Sequence, residues 1–201
     1  QLPVETGPAT ILFSDVVGFS TLSERLPPEE LINTLNEYFT VITEPIEELG
    51  GVITQFQGDA VLATFNLPVP HPDHAANAVR AAMEIQHRLE HRRFGSGHEM
   101  RTRIGINTAS ITGGAVGSSG RLSYTVHGDG VNIAARIEEL NKTYGTQILV
   151  AHSTRALCGN RFRFEPVGDI PIRGRSGSVQ LYRLAGTTNA SEMASDTQAT
   201  P

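Results

Sequence analysis

Four residues of this 201-residue chain have the types and spacing to do chemistry: an aspartate closing an apolar strand, a second in a tight turn, and an asparagine and arginine one helical turn apart. In ATILFSDVVGFST, residues 9–21, the apolar run ends on Asp15. A carboxylate at a buried strand tip is costly unless a cation or water faces it. Asp59 stands in QFQGDA, between two strand-like runs. Carboxylates brought to one sheet end can share a pair of hard divalent cations, which prefer oxygen ligands. Directly after Asp15, VVGFST carries the backbone N–H groups of Gly18, Phe19 and Ser20 into a helix start, which suits an anion. Cations beside an amide-lined phosphate site are the equipment of phosphoryl or nucleotidyl transfer. Each aspartate also has a plainer reading, Asp15 as the cap of the following helix and Asp59 as an ordinary Gly-Asp turn residue.

The second pair lies in YTVHGDGVNIAARIEEL. Asn132 and Arg136 are four residues apart, so a helix over 129–143 projects both from one face. Asn132 can hydrogen-bond a sugar, and Arg136 can neutralise charge that builds on a phosphate during transfer. The plainer reading is a solvated helix face.

The elements that must position these groups follow from periodicity. Residues 9–14 form a short apolar strand. Leu31, Leu35, Tyr38, Ile42, Ile46 and Leu49 mark one face of a helix that begins at Pro28 and stops at Gly50-Gly51. GGVITQFQGDAVLATF reads as two strands around a Gln57-Gly58-Asp59 turn. Residues 71–93 form a second amphipathic helix, whose His71, Asp73 and His74 are expected to be a solvated cap. Residues 101–109 form a strand, and the glycine- and serine-rich stretch 113–120 is expected to be a loop before the strand LSYTVHG. After the helix over 129–143 come the strand TQILV, a short helix near 152–158 and strands near 162–167 and 178–184. The order predicts an α+β fold: a ferredoxin-like βαββαβ core with additional αβ elements.

Composition narrows the function classes. The net charge of −5 gives no basic footprint, so nucleic acid is not an expected partner. The single cysteine, Cys158, excludes an internal disulfide framework and suits a reducing compartment. No apolar run approaches the ~20 residues of a membrane span, and no signal peptide opens the chain, so a cytoplasmic location is expected. Residues 7–185 are expected to form one catalytic domain, and the small, polar residues 186–201 a disordered tail.

FSDVVGFS, the GGV-x5-GDA hairpin, RIGI and YTVHGDGVNIAARIE together resemble, in order and spacing, the catalytic domains of the class III nucleotide cyclases. The resemblance implies a head-to-tail homodimer that converts ATP to cyclic AMP and pyrophosphate at shared interface sites. In that pattern Asp15, Asp59 and the carbonyl of Val16 hold two Mg²⁺ or Mn²⁺ ions per site. The partner contributes Asn132 to orient the ribose and Arg136 to stabilise the transition state. Arg173 stands where the family usually has a phosphate-binding lysine. Base selection falls to Gln55, where adenylyl cyclases usually carry lysine, and to Thr125, a familiar bacterial variant. A lysine only donates, whereas a glutamine amide donates and accepts and can flip between adenine and guanine patterns. ATP is the expected substrate with low selectivity; GTP turnover, or a regulatory pseudocyclase, are the alternatives. A sensor or membrane domain elsewhere in the full-length protein is expected to supply the activating signal.

Overall fold

A computed structural model describes residues 3–171 and 176–188. Arg173 and residues 189–201 of the expected tail lie outside the described residues. The elements are β1 (Glu5–Val16), α1 (Phe19–Arg25), α2 (Pro28–Glu48), β2 (Val52–Gln57), β3 (Ala60–Phe65), α3 (His74–Glu90), β4 (Thr102–Ser118), β5 (Arg121–His127), α4 (Asp129–Tyr144), β6 (Ile148–Ala151), α5 (His152–Cys158), β7 (Phe162–Pro171) and β8 (Ser178–Thr187).

One sheet of eight strands runs β2-β3-β1-β4-β6-β8-β7, with β5 paired to the distal half of β4. All pairings are antiparallel except β4 with β6. The β2-β3-β1-β4 order is that of the split βαβ core, so the α+β expectation holds.

Alternation along β1 divides the core. Leu12 packs with Tyr38, Ile42 and Ile46 of α2 and with the alanine-rich face of α3. Its neighbours Ala9 and Ile11 pack with Ala134 of α4. Successive strand residues face opposite sides, so helices cover both faces of the sheet and Asp15, in step with Ile11 and Phe13, lies on the α4 side. Further along, Ile137 of α4 joins Leu149, Ala151 and Leu181 in a third cluster.

α4 sits unusually close to the sheet. A Cβ on Gly105 would fall 2.3 Å from the Glu138 amide nitrogen and 2.7 Å from the Ala134 carbonyl, so only glycine allows this helix to seat on β4. α2 starts with proline and two acids in its first turn, as its sequence dictates. It ends where the Gly51 amide bonds back to the Ile46 carbonyl at 2.8 Å.

Two expectations need correction. The stretch 113–120 is not a loop: β4 continues to Ser118, and only Ser119-Gly120 turn the chain into β5. The glycines there reflect packing, because the Tyr124 hydroxyl occupies the space that a Cβ on Gly113 would need. The start of α3 is only partly solvated, and its polar groups are engaged. His74 Nδ1 pairs with Thr10 Oγ1 at 2.7 Å, and burial holds its imidazole pKa below the ordinary value. Asp73 accepts from Arg161 and Arg80 at 2.8 and 3.2 Å.

Candidate active site

The β1–β3 pairing and the two-residue turn of the β2–β3 hairpin bring both aspartates to one end of the sheet. Ser14 lies opposite Val61, and Gln57 opposite Ala60, so Asp59 falls beside the end of β1. A hydrogen bond fixes it there: the Val16 N–H donates to Asp59 Oδ2 at 2.9 Å. Asp59 is thereby held against the residue next to Asp15. The candidate ligands there, the Asp15 and Asp59 carboxylates and the Val16 carbonyl, would offer oxygen donors only, the type that hard divalent cations prefer.

The strand end beneath them is braced from several sides. Thr102 Oγ1 donates to the Asp15 carbonyl at 2.6 Å, and the fully buried Tyr38 hydroxyl donates to Thr102 Oγ1 at 2.9 Å. Burial pushes the Tyr38 phenol well above its ordinary pKa, so it remains a donor throughout the working range. Arg103, with a side chain only 12% exposed, sets its Nε 3.2 Å from Asp15 Oδ1. Glu138 of α4 lies against the same carboxylate and is 2% exposed. Its Oε2 is buried with no hydrogen-bond partner among the described residues. Burial first, and the neighbouring Asp15 second, push its pKa up to about 9. Arg103 and Glu138 went unassigned in the sequence, although Glu138 falls in register with the buried Ala134 and Asn141 of the same helix.

A stability test follows from that carboxyl. A group whose pKa rises on folding, here from an ordinary 4.5 to about 9, keeps its proton in the native state and sheds it in the unfolded one. Native stability therefore falls as pH rises from the lower value to the upper, by at most about 1.4 kcal/mol per pH unit. Glutamine has no proton to lose. The metal-free Glu138→Gln protein is expected to melt above the parent at pH 8, with a gap that narrows toward pH 5. Melting curves with equal gaps at both pH values would refute a buried neutral carboxyl.

Gly18, Phe19 and Ser20 follow directly, forming the entrance to α1 beside the carboxylates. Asn132 and Arg136 lie on the exposed face of α4, one turn apart, while Ala134, Ile137 and Glu138 of the same helix are buried. The Arg136 side chain brings Nη1 within 3.5 Å of the Pro171 carbonyl. The candidate groups thus divide within one chain into a carboxylate half at the sheet end and an Asn/Arg half on the outer surface of α4.

The remaining pair lies on β2 and β5, which approach one another. Gln55 is exposed and follows a bulge: the pairing slips between Ile53 and Gln55, leaving Thr54 as the extra residue. Thr54 Oγ1 bonds the Leu62 carbonyl at 3.2 Å. A bulge of this kind re-aims the side chain that follows it. Thr125 is half-buried on β5, opposite Gly114.

Comparison with known proteins gives a consistent result. A family model described as "Adenylate and Guanylate cyclase catalytic domain" matches residues 3–186. The chain is 40% identical over 187 residues to Adenylate cyclase 1 of Rhizobium meliloti (strain 1021), covering 90% of this chain and 28% of that protein. It is 31% identical over 188 residues to an adenylate cyclase of Anabaena cylindrica, covering 87% and 36%. The chain therefore spans about a third of the length of these relatives. Among solved structures, the guanylyl cyclase Cya2 superposes with a TM-score of 0.82 at 32% identity, covering 92% of this chain and 95% of that one. The adenylyl cyclase CyaB from P. aeruginosa superposes at 0.79 with 29% identity, covering 94% and 98%. Among the described residues no helix is long and apolar enough to cross a membrane.

Proposed function

We propose that this chain, which belongs to the family of adenylate and guanylate cyclase catalytic domains, converts ATP to 3′,5′-cyclic AMP and pyrophosphate at sites shared between two copies of itself. The observation that carries the reading is the division of the site. Asp59, held by the Val16 amide, stands beside Asp15 at the sheet end, whereas Asn132 and Arg136 point outward from a helix whose inner face is buried. A head-to-tail pairing of two chains brings each half against the other's complement, twice by symmetry.

Two Mg²⁺ or Mn²⁺ ions held by Asp15, Asp59 and the Val16 carbonyl would supply activation of the ribose 3′-hydroxyl and charge relief at the triphosphate. The protein's own residues do the rest. The amides of Gly18, Phe19 and Ser20 receive phosphate oxygens. Asn132 of the partner copy orients the ribose so that its 3′-oxygen faces the α-phosphorus. As the new P–O bond forms and the bond to the bridging oxygen breaks, Arg136 takes up the negative charge that develops there. Arg173 is assigned to the departing pyrophosphate end, where its guanidinium keeps the charge of a lysine with a planar, two-pronged donor geometry. Gln55 and Thr125 read the base. The bulge before Gln55 aims an amide that can present either polarity, so these two residues discriminate weakly between adenine and guanine, and ATP is favoured on the likeness to adenylate cyclases.

Residues 7–185 are assigned as the catalytic domain, acting on the cytoplasmic side, with a sensor or membrane-attached segment of the full-length protein providing the signal.

The test is product formation by the purified chain in Mn²⁺, with ATP and GTP offered separately over a range of protein concentrations. Cyclic AMP is expected, with specific activity rising as dimers form. Exclusive cyclic GMP production would move the assignment to a guanylyl cyclase. A well-folded dimer that makes neither product would overturn the enzymatic reading.

A further inference from the structure

The last turn of α3 and its C-cap read His87-Arg88-Leu89-Glu90-His91, a segment that plays no part in the site described above. Ile85 and Leu89 point into the core, so the helix turns His87, Glu90 and His91 outward together. Positions i, i+3 and i+4 are neighbours on a helix surface, and here the convergence is realised: one ligand atom from each of the three lies within 4.8 Å of the others. The two imidazoles stand edge to face with centroids 5.4 Å apart and planes at 77°.

Two further features favour a cation at this spot. The group sits at the C-terminal end of the helix, where unpaired carbonyls present the negative pole of the helix dipole. The three arginines in this stretch are also engaged elsewhere. Arg88 reaches Glu84, Glu44 and Glu48 at 2.9, 3.0 and 3.4 Å. Arg92 lies over the Phe94 ring at 5.4 Å, and Arg93 pairs with Glu99 at 2.9 Å. Arg88 and Arg93 thus have carboxylate counter-charges of their own.

We propose that His87, Glu90 and His91 form a second metal site, separate from the Asp15/Asp59 carboxylates and of different chemistry. Two imidazole nitrogens and one carboxylate oxygen suit Zn²⁺, Ni²⁺ or Cu²⁺, whereas the all-oxygen site suits Mg²⁺ or Mn²⁺. Three protein ligands leave a coordination position open to water or an exchangeable group. The site lies on the same turn as Gln86, whose Nε2 donates to the Thr102 carbonyl at 2.9 Å, so it adjoins the braced end of the sheet without sharing a ligand with it.

The test is Zn²⁺ titration of the purified chain by calorimetry in millimolar Mg²⁺, with circular dichroism to confirm that each variant is folded. One Zn²⁺ per chain is expected, retained in Asp59→Asn and weakened about tenfold or more in His87→Ala and in His91→Ala. All three ligands are exposed, so their replacement leaves the core untouched. The proposal is overturned if the parent chain binds no Zn²⁺, if both histidine variants bind it as the parent does, or if binding disappears only in Asp59→Asn.

Discussion

Replacing Asp59 with asparagine is expected to lower cyclic nucleotide formation about 10³-fold or more, the scale of losing a preorganised electrostatic element at the reacting phosphate, while the protein stays folded. Asparagine is the discriminating choice because it separates the hydrogen bond that Asp59 makes from the metal-holding role proposed for it. Its Oδ2 accepts the Val16 N–H at 2.9 Å, and an amide oxygen in the same place accepts it as well. The hydrogen bond survives; the negative charge and one hard oxygen do not. Alanine removes both at once and leaves the Val16 amide without its acceptor, a change worth about 1–3 kcal/mol if that amide is shut off from water. Asp15 is a poorer first target for the same reason, since its loss strips the nearly buried Arg103 guanidinium of its counter-charge. The measurements are initial rates in Mn²⁺ and Mg²⁺ beside a thermal melt. Turnover within tenfold of the parent, at unchanged melting temperature, would remove Asp59 from the metal site.

The carboxylate pair and the Asn/Arg pair were legible in the sequence because each depends on local arithmetic. A short apolar strand run that leads into Asp15, and a two-residue turn at Gly58-Asp59, put both carboxylates at one sheet end once the split βαβ order is assumed. A 3.6-residue period alone puts Asn132 and Arg136 on one face of α4. The environment of Asp15 was not legible in the same way. Arg103 reaches it across 88 residues of sequence, and no local pattern marks a contact at that separation. Glu138 is a partial exception: it shares a buried face with Ala134 and Asn141, yet in ARIEEL an acid reads as one more solvated helix charge. The β4 error has the same origin. Glycine and serine in succession signal a loop, and only the cross-strand packing of Tyr124 over Gly113 makes the first of those glycines a strand residue. The bulge before Gln55 is likewise a property of pairing with β3, invisible until the register is known.

The division of the site carries the prediction with the sharpest outcome. Arg136→Ala removes an exposed side chain, so the variant should fold as the parent does. Its kcat should fall about 10³-fold or more, with little change in apparent substrate affinity, because the role proposed for the guanidinium is to meet charge that exists only in the transition state. Asp59→Asn is expected to be inactive for a different reason, its defect lying in the other half of the proposed site. When the two inactive proteins are mixed in equal amounts and allowed to exchange subunits, half of the dimers are mixed. Each mixed dimer has one site with both defects and one site with none, because the intact carboxylates belong to one chain and the intact arginine to the other. Half of the dimers with one working site out of two give about a quarter of the parent activity, from components that have almost none. If instead each chain builds its own site, every site in the mixture carries a defect and activity stays at the average of the two variants. Subunit exchange must be followed independently, by energy transfer between labelled chains. Exchange without rescue would place Asp59 and Arg136 in the same chain's site and dismantle the head-to-tail arrangement; rescue to near a quarter requires that the two halves meet across the dimer.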